Sequence, residues 1–253
     1  MIRTFFVLLY VVLFLILGIP VLGIEWLISK KKEWRYAADL SQLRIVQWAF
    51  RCICFLSGVK LTVIGEEHVP ADEPVLYIGN HRSDFDIVIC YARCPGLTGY
   101  ISKNSIERIP LLSTWMRRLY CLFIDRDDIK QSLKTILSGI DHIKNGISVC
   151  LYPEGGRGKG TDELDMLPFK EGSLKIAEKT GCKIIPMAIT GSADIFENHK
   201  PRIKKTQVIL EYGEPIDVSA LTKEEKKKLG VYCQTKIRSM LTQHRQLTPS
   251  NTD

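Results

Sequence analysis

In the stretch PVLYIGNHRSDFDIVICYARC a histidine is followed five residues later by a carboxylate. The apolar run ends at Gly79, a polar tip covers Asn80, His81, Arg82, Ser83 and Asp84, and apolar periodicity resumes at Phe85. His81 and Asp86 therefore fall across a strand-to-helix junction, and strand ends are where α/β proteins place their chemistry. A carboxylate that holds one ring nitrogen fixes the tautomer and stabilises the imidazolium, which leaves the other nitrogen free to take a proton. That is general-base chemistry. Asp84 has the spacing to compete with Asp86 as the partner, and a surface His–Asp pair with no chemical role carries the same signature.

A second stretch, ISVCLYPEGGRGKG, runs from an apolar strand into a loop with Glu154, Arg157 and Lys159 among the glycines at 155, 156, 158 and 160. Glycines let backbone amides approach an anion, and an arginine grips one with two parallel donors. No G-K-[ST] is present here, so this is not a Walker A loop, and a solvated turn has the same composition. Lys103 and Arg126 end two further expected strands, in GYISK and FIDR. Brought to the His81 end of a sheet, these cations would suit a phosphate-bearing substrate.

The elements that must position these groups are short apolar runs alternating with helical periods. Strands are expected at 61–65, 74–79, 99–102, 120–124, 147–152, 183–189 and 207–213. Between 127 and 145 apolar residues keep helical spacing, with Asp127 as a cap and Gly146 as a stop. Thr222-x-x-Glu225 has the pattern of a capping box ahead of a basic helix reaching about His244. The fold class is α/β: a central mixed sheet of about seven strands flanked by helices, preceded by an N-terminal membrane-associated two-helix segment. The expected organisation is an anchor and interfacial helix over 1–60, a domain over 61–245 and a flexible tail over 246–253.

The N-terminal assignment rests on residues 4–24, a run of 21 without a charge. About 20 apolar residues of helix cross a bilayer's hydrocarbon core, and the run has no A-x-A-like cleavage site after it. Trp26 and Trp34 flank Lys30, Lys31, Lys32 and Arg35, the composition of a headgroup layer, and the positive-inside rule makes the chain beyond Arg35 cytoplasmic. Over 40–59, Arg44, Gln47 and Arg51 form one polar stripe on an apolar helix, which suggests a helix lying on the interface or packed as a surface helix of the domain.

Charge agrees with a membrane partner. Of the net +7 on 253 residues, residues 1–60 carry +5, residues 61–199 carry −3 and residues 200–253 carry +5. No basic-aromatic stripe or nucleic-acid motif accompanies this excess, so an anionic lipid surface is the expected partner, with no nucleic acid. The apolar content of 45% excludes intrinsic disorder. The eight cysteines are scattered without a C-x-x-C pair, as buried reduced thiols would be. His68, His142, His199 and His244 have no partner pattern and read as surface or structural.

Together these stretches resemble the glycerolipid acyltransferase family, most closely the lysophosphatidate acyltransferases. The family's first block, N-H-x-S-x-x-D, reads Asn80 to Asp86. Its second resembles the segment from Lys103 to Arg126, its third, F-P-E-G-T-R, reads Tyr152 to Arg157, and its fourth, a proline in a β run, falls at Pro186. Gly156 stands where the family has Thr or Ser, and Tyr152 where it has Phe.

The resemblance implies transfer of a fatty acyl group from acyl-CoA or acyl carrier protein to the sn-2 hydroxyl of 1-acylglycerol 3-phosphate, giving phosphatidic acid at the cytoplasmic face of a membrane. It assigns catalysis to His81 and Asp86 and substrate binding to Lys103, Arg126, Glu154, Gly155, Arg157 and Pro186. No bound cofactor or metal is implied; the thioester is a substrate. Rival readings are the same chemistry on glycerol 3-phosphate or another lysophospholipid, a metal-dependent hydrolase using His81, Asp84, Asp86 and Glu154, and a non-catalytic lipid-binding protein.

Overall fold

The computed structural model describes residues 1–158, 160 and 162–247; Lys159 and the expected tail from 248 lie outside the described residues. The chain runs α1 (Ile2–Leu17), α2 (Ile19–Ser29), α3 (Arg35–Ser57), β1 (Lys60–Ile64), β2 (Leu76–Gly79), α4 (Asp84–Tyr91), β3 (Thr98–Lys103), α5 (Pro110–Arg118), β4 (Leu122–Ile124) and α6 (Ile129–Lys144). It continues through β5 (Ser148–Leu151), α7 (Glu171–Thr180), β6 (Ile184–Thr190), β7 (Gln207–Tyr212), α8 (Lys223–Lys227) and α9 (Leu229–Leu247). All seven expected strands are present in one sheet of order β1-β7-β6-β2-β5-β3-β4. The β6–β7 pair is antiparallel and every other pair parallel, so the sheet is mixed.

The central strands β2 and β5 are buried at every position, which is why they read as continuous apolar runs and not as alternation. On one face Tyr77, Cys150, Ile185 and Met187 join a core with Leu43, Val46 and Ile53 of α3, Phe85 and Ile89 of α4, and Trp115 of α5. On the other, Leu76, Ile78, Val149 and Leu151 pack with Ile140, Leu174, Ile176 and Ile237 from α6, α7 and α9. The eight cysteines are free thiols. Burial pushes Cys94 and Cys233 up to about 12, so both are protonated and unreactive.

Two local expectations change, and His244 takes the structural role of the two expected for it. The cap of α6 is Asp128, whose carboxylate accepts from Lys130 N at 2.8 Å and Gln131 N at 3.1 Å, and not Asp127. The capping box at Thr222 and Glu225 exists, but it starts the five-residue α8, and the chain breaks at Lys228 before α9. Helix α9 then runs through His244, whose buried ring joins Thr190 Oγ1 and Glu211 Oε2, each at 2.8 Å, and ties the helix to β6 and β7.

The N-terminal apolar run is not one helix. It divides at Gly18 into α1 and α2, which are bent by 42°. Among the described residues no single helix is long and apolar enough to cross a membrane; the bent pair has the length and composition together. Pro20 lacks the N–H that a continuous ladder needs. Gly18 allows close contact, since a Cβ there would lie 2.6 Å from Trp115 Cζ2 on α5.

Of the polar stripe on α3, Gln47 turns inward, whereas Arg44 and Arg51 are exposed. Gln47 is buried, and its amide donates to the carbonyls of Tyr91 (3.2 Å) and Cys94 (2.7 Å) at and just beyond the end of α4, while Arg44 bonds Gln47 Oε1 at 2.8 Å. Asp39, also buried, takes Arg118 at 3.2 Å and the Tyr120 hydroxyl. Gln47 and Asp39 therefore satisfy carbonyls and donors of the domain, and the exposed side that carries Arg44 and Arg51 also carries Trp48 and Phe55. In sequence the sheet begins at Lys60, but α3 helps build its core.

Candidate active site

The sheet delivers two loops to one place, because β2 and β5 are adjacent and parallel and both end there. After Gly79 the side chain of Asn80 clips onto the backbone of Ile189 in β6, donating to its carbonyl and accepting from its N–H, each at 2.9 Å. Ser83 then caps α4: its Oγ accepts from Phe85 N at 3.0 Å, and Asp86 reaches back as the partner in a capping box. A single oxygen of Asp86, Oδ2, receives Arg82 N at 2.8 Å, Ser83 N at 2.8 Å and His81 Nδ1 at 2.9 Å. Asp86 is fully buried at the positive end of α4, and Asp84 points away toward solvent. The competition between the two carboxylates is settled by helix geometry. Third in the helix, Asp86 turns back over the loop; first in the helix, Asp84 does not.

His81 is partly exposed, and its ring lies flat on Tyr152, with centroids 4.3 Å apart and planes 13° from parallel. With Nδ1 donating to Asp86, Nε2 holds the free lone pair of a base.

Glu154 is not available to a substrate. Its buried carboxylate accepts from His81 N at 2.8 Å and Leu167 N at 2.7 Å, so it welds the second loop to the first. Burial raises its pKa, and the two N–H donors oppose that shift. Gly158 N completes the seam by donating to His81 O at 3.1 Å. Gly155 holds φ at 71°, a left-handed conformation, its carbonyl accepts from Arg126, and a Cβ there would come within 2.8 Å of Lys170 Cε. Gly156 has open space around it.

The cations separate. Arg126 and Arg157 are exposed beside the seam, and Lys103 is exposed at the end of β3, where it pairs in register with Ile124, two residues before Arg126. Arg157 bonds Asp84 Oδ2 at 3.0 Å and Glu197 Oε1 at 3.1 Å. Arg82, to which the sequence pattern assigns no role, is buried and holds the carbonyls of Gly160 and Asp162. Lys170 and Glu197 carry no local signal either, because both join the cluster from distant segments.

Pro186 is not brought to the site. It is buried inside β6 opposite Ile78, on the face that packs against α7 and α9. Between the Met187–Tyr212 pair and the Ile184–Ile216 bridge the partner segment has one residue more, and a proline, with no N–H to pair, fits that bulge.

Beside this cluster a cavity of about 290 Å³ enters the apolar layer. Tyr10 and Phe14 of α1, Val46 and Phe50 of α3, Val88 of α4 and Trp115 of α5 line it, and Asp84 stands on its wall. Among the described residues no group of three or more His, Cys, Asp or Glu side chains is placed to hold a metal ion. A histidine with Nε2 open to a proton, near exposed arginines and an apolar cavity that Asp84 borders, has the groups needed to remove a proton from a hydroxyl on an amphiphile.

Comparison with known proteins points to one family. The chain is 32% identical over 168 residues to a probable 1-acyl-sn-glycerol-3-phosphate acyltransferase of Mycoplasma pneumoniae, covering 65% of this chain and 61% of that protein. It is 30% identical over 177 residues to the 1-acyl-sn-glycerol-3-phosphate acyltransferase of Borreliella burgdorferi, covering 69% of each. The Saccharomyces cerevisiae protein of that name is 27% identical over 208 residues, with 80% and 67% covered. The match thus spans about three fifths to two thirds of these relatives' lengths. The fold is shared with the crystal structure of the 1-acyl-sn-glycerophosphate (LPA) acyltransferase PlsC from Thermotoga maritima, at a TM-score of 0.81 and 22% identity over 96% of this chain and 95% of that one. The sequence model of the family described as Acyltransferase matches residues 60–190, from β1 to the end of β6. That span takes in both loops that meet at His81, and the chain belongs to this acyltransferase family.

Proposed function

We propose that this protein moves a fatty acyl group from an acyl thioester, of coenzyme A or acyl carrier protein, to the sn-2 hydroxyl of 1-acylglycerol 3-phosphate, giving phosphatidate. The observation that carries the reading is the His81–Asp86 pair, 2.9 Å apart and fixed by two further donors on Asp86, beside the apolar cavity. His81 Nε2 takes the hydroxyl proton as the oxygen attacks the thioester carbonyl. The tetrahedral intermediate collapses, the C–S bond breaks, and the imidazolium returns the proton to the leaving thiolate. Asp86 holds the tautomer and stabilises the transient imidazolium. The acceptor oxygen is itself the nucleophile, so no enzyme nucleophile is needed.

The phosphate is assigned to Arg157 and Arg126, with Lys103 and Lys170 adding positive potential, and an acyl chain to the cavity. Glu154 and Gly155 shape the loop. The membrane reading is supported by α1, whose outward Phe5, Phe6, Leu9, Val12 and Leu13 are exposed although the opposite side packs on α3 and α5. With its bend, the α1–α2 pair enters the lipid next to the cavity wall it lines, and the active site faces the cytoplasmic leaflet.

The test is transfer of labelled palmitoyl from its coenzyme A thioester to lysophosphatidate in detergent micelles, by wild type and His81→Ala, with chelator present. Labelled phosphatidate from the wild type alone is expected. Absence of transfer by folded wild type, or equal transfer by His81→Ala, overturns the proposal.

A further inference from the structure

One carboxylate at the site has no place in the proposed mechanism. Glu197 lies in the short 3-10 turn Glu197–His199 beyond β6, past the span shared with the family. Its side chain is only 12% exposed. Oε2 accepts from Ser83 Oγ at 2.5 Å, and Oε1 accepts from Asp84 N at 3.0 Å and Arg157 Nη1 at 3.1 Å. Ser83 caps α4 and Asp84 begins it, so one carboxylate joins the loop that carries His81 to the arginine of the neighbouring loop. The positive end of α4 and the guanidinium compensate its charge.

The bonds that hold Arg157 converge on one nitrogen. Nη1 meets both Glu197 and Asp84 Oδ2, the latter at 3.0 Å, which leaves Nε and Nη2 for a second, side-on partner. Of the two anchors, Asp84 is largely exposed and Glu197 is the rigid one, tied at both oxygens. A long arginine left loose would lose rotamer freedom on gripping an anion, and an anchor at Nη1 removes that cost in advance.

We infer that Glu197 is a positioning residue for the acceptor. It fixes Arg157 with two donors presented to the phosphate and braces the cap of α4, so phosphate capture and His81 placement share one support. The inference deepens the proposed acyltransferase reading and rests on its phosphate-bearing acceptor.

The experiment is steady-state kinetics of the full chain in micelles, with lysophosphatidate and palmitoyl-coenzyme A varied separately, for wild type, Glu197→Ala, Glu197→Gln, Arg157→Ala and the Glu197→Ala/Arg157→Ala double variant. Glu197→Ala is expected to raise the KM for lysophosphatidate about tenfold, the size of one lost charge-assisted contact, and to change the KM for the thioester less than about twofold. Glu197→Gln, which keeps an acceptor oxygen without the charge, falls between. Once Arg157 is alanine, the second substitution leaves the acceptor KM where it was. An equal rise in both KM values, no rise, or a full further rise in the double variant overturns the inference; Glu197→Gln carries the test if Glu197→Ala does not fold. A wild type inactive on lysophosphatidate overturns the proposed function. The positioning role is then read from equilibrium binding of lysophosphatidate against monoacylglycerol: loss of preference for the phosphorylated lipid in Glu197→Ala supports it, and an unchanged preference overturns it.

Discussion

The Glu154 carboxylate sits 2.8 Å from the backbone nitrogen of His81, and this bond makes the two loops of the site a single unit. Glu154→Ala leaves the N–H groups of His81 and Leu167, both half-buried, without a protein acceptor, at about 1 kcal/mol each. Thermal unfolding should show a Tm lower by several degrees, with transfer reduced because His81 is no longer fixed. Glu154→Gln keeps one of the two acceptor oxygens and is expected to lose about half as much.

The raised pKa of Glu154 has a signed consequence. For a group whose folded value lies above its unfolded one, the stability it contributes is present below the ordinary value of 4.5 and is lost as pH rises through the raised folded value. Measured by denaturant titration, wild type should therefore lose stability relative to Glu154→Gln as pH climbs through that window. A difference that grows in favour of wild type would contradict the sign.

Asp86→Asn tests the charge behind the histidine. With its amide oxygen in the place of Oδ2, asparagine keeps the bonds from His81 Nδ1, Arg82 N and Ser83 N but no longer stabilises the imidazolium. Transfer should fall roughly 10²- to 10⁴-fold with the KM for either substrate little changed. Circular dichroism and Tm would check that the cap of α4 survives, since the amide oxygen still accepts from the loop.

On the proposed reading the cavity takes the acyl chain and sets how much of it fits. Val46 lines it from α3 and Val88 from α4, so Val46→Phe or Val88→Phe shortens the space without touching the His81 loop. In competition between acyl thioesters of different length, each variant is expected to shift its preference toward shorter chains. An unchanged product distribution would show that the chain lies elsewhere.

The two sides of α3 should respond differently. Gln47→Ala orphans the buried carbonyl of Cys94, leaves that of Tyr91 with the Cys94 N–H as donor, and is expected to cost about 1–3 kcal/mol of stability, with vesicle binding of the folded protein unchanged. Phe55→Gln, at a position 82% exposed, should change stability by no more than about 0.5 kcal/mol and weaken sedimentation with anionic vesicles. The reverse pattern would contradict the assignment of the Trp48 and Phe55 side to the lipid surface.

Much of this was legible from residue order. Seven strands, the α/β class, the His81–Asp86 pair and the loop at Glu154 arise from local signals: apolar runs bounded by glycine, a capping pattern, and polar tips at strand ends. These depend on neighbours a few residues away, and the polypeptide has little choice about them. The roles of Glu154 and Pro186 were not legible, because a carboxylate facing two backbone N–H groups and one facing a ligand look alike in sequence, and a proline at a bulge resembles one at a site. The inward turn of Gln47 depends on carbonyls at the end of α4 that only packing brings into reach. Glu197, Lys170 and Arg82 entered the site from segments 114, 15 and 80 residues from their partners Ser83, Gly155 and Asp162. The sequence by itself determined which residues are able to do acid–base chemistry and on which elements they stand; the tertiary structure decided which carboxylate faces a proton, which faces the backbone and which holds an arginine, because those choices are made by contacts between parts of the chain far apart in order.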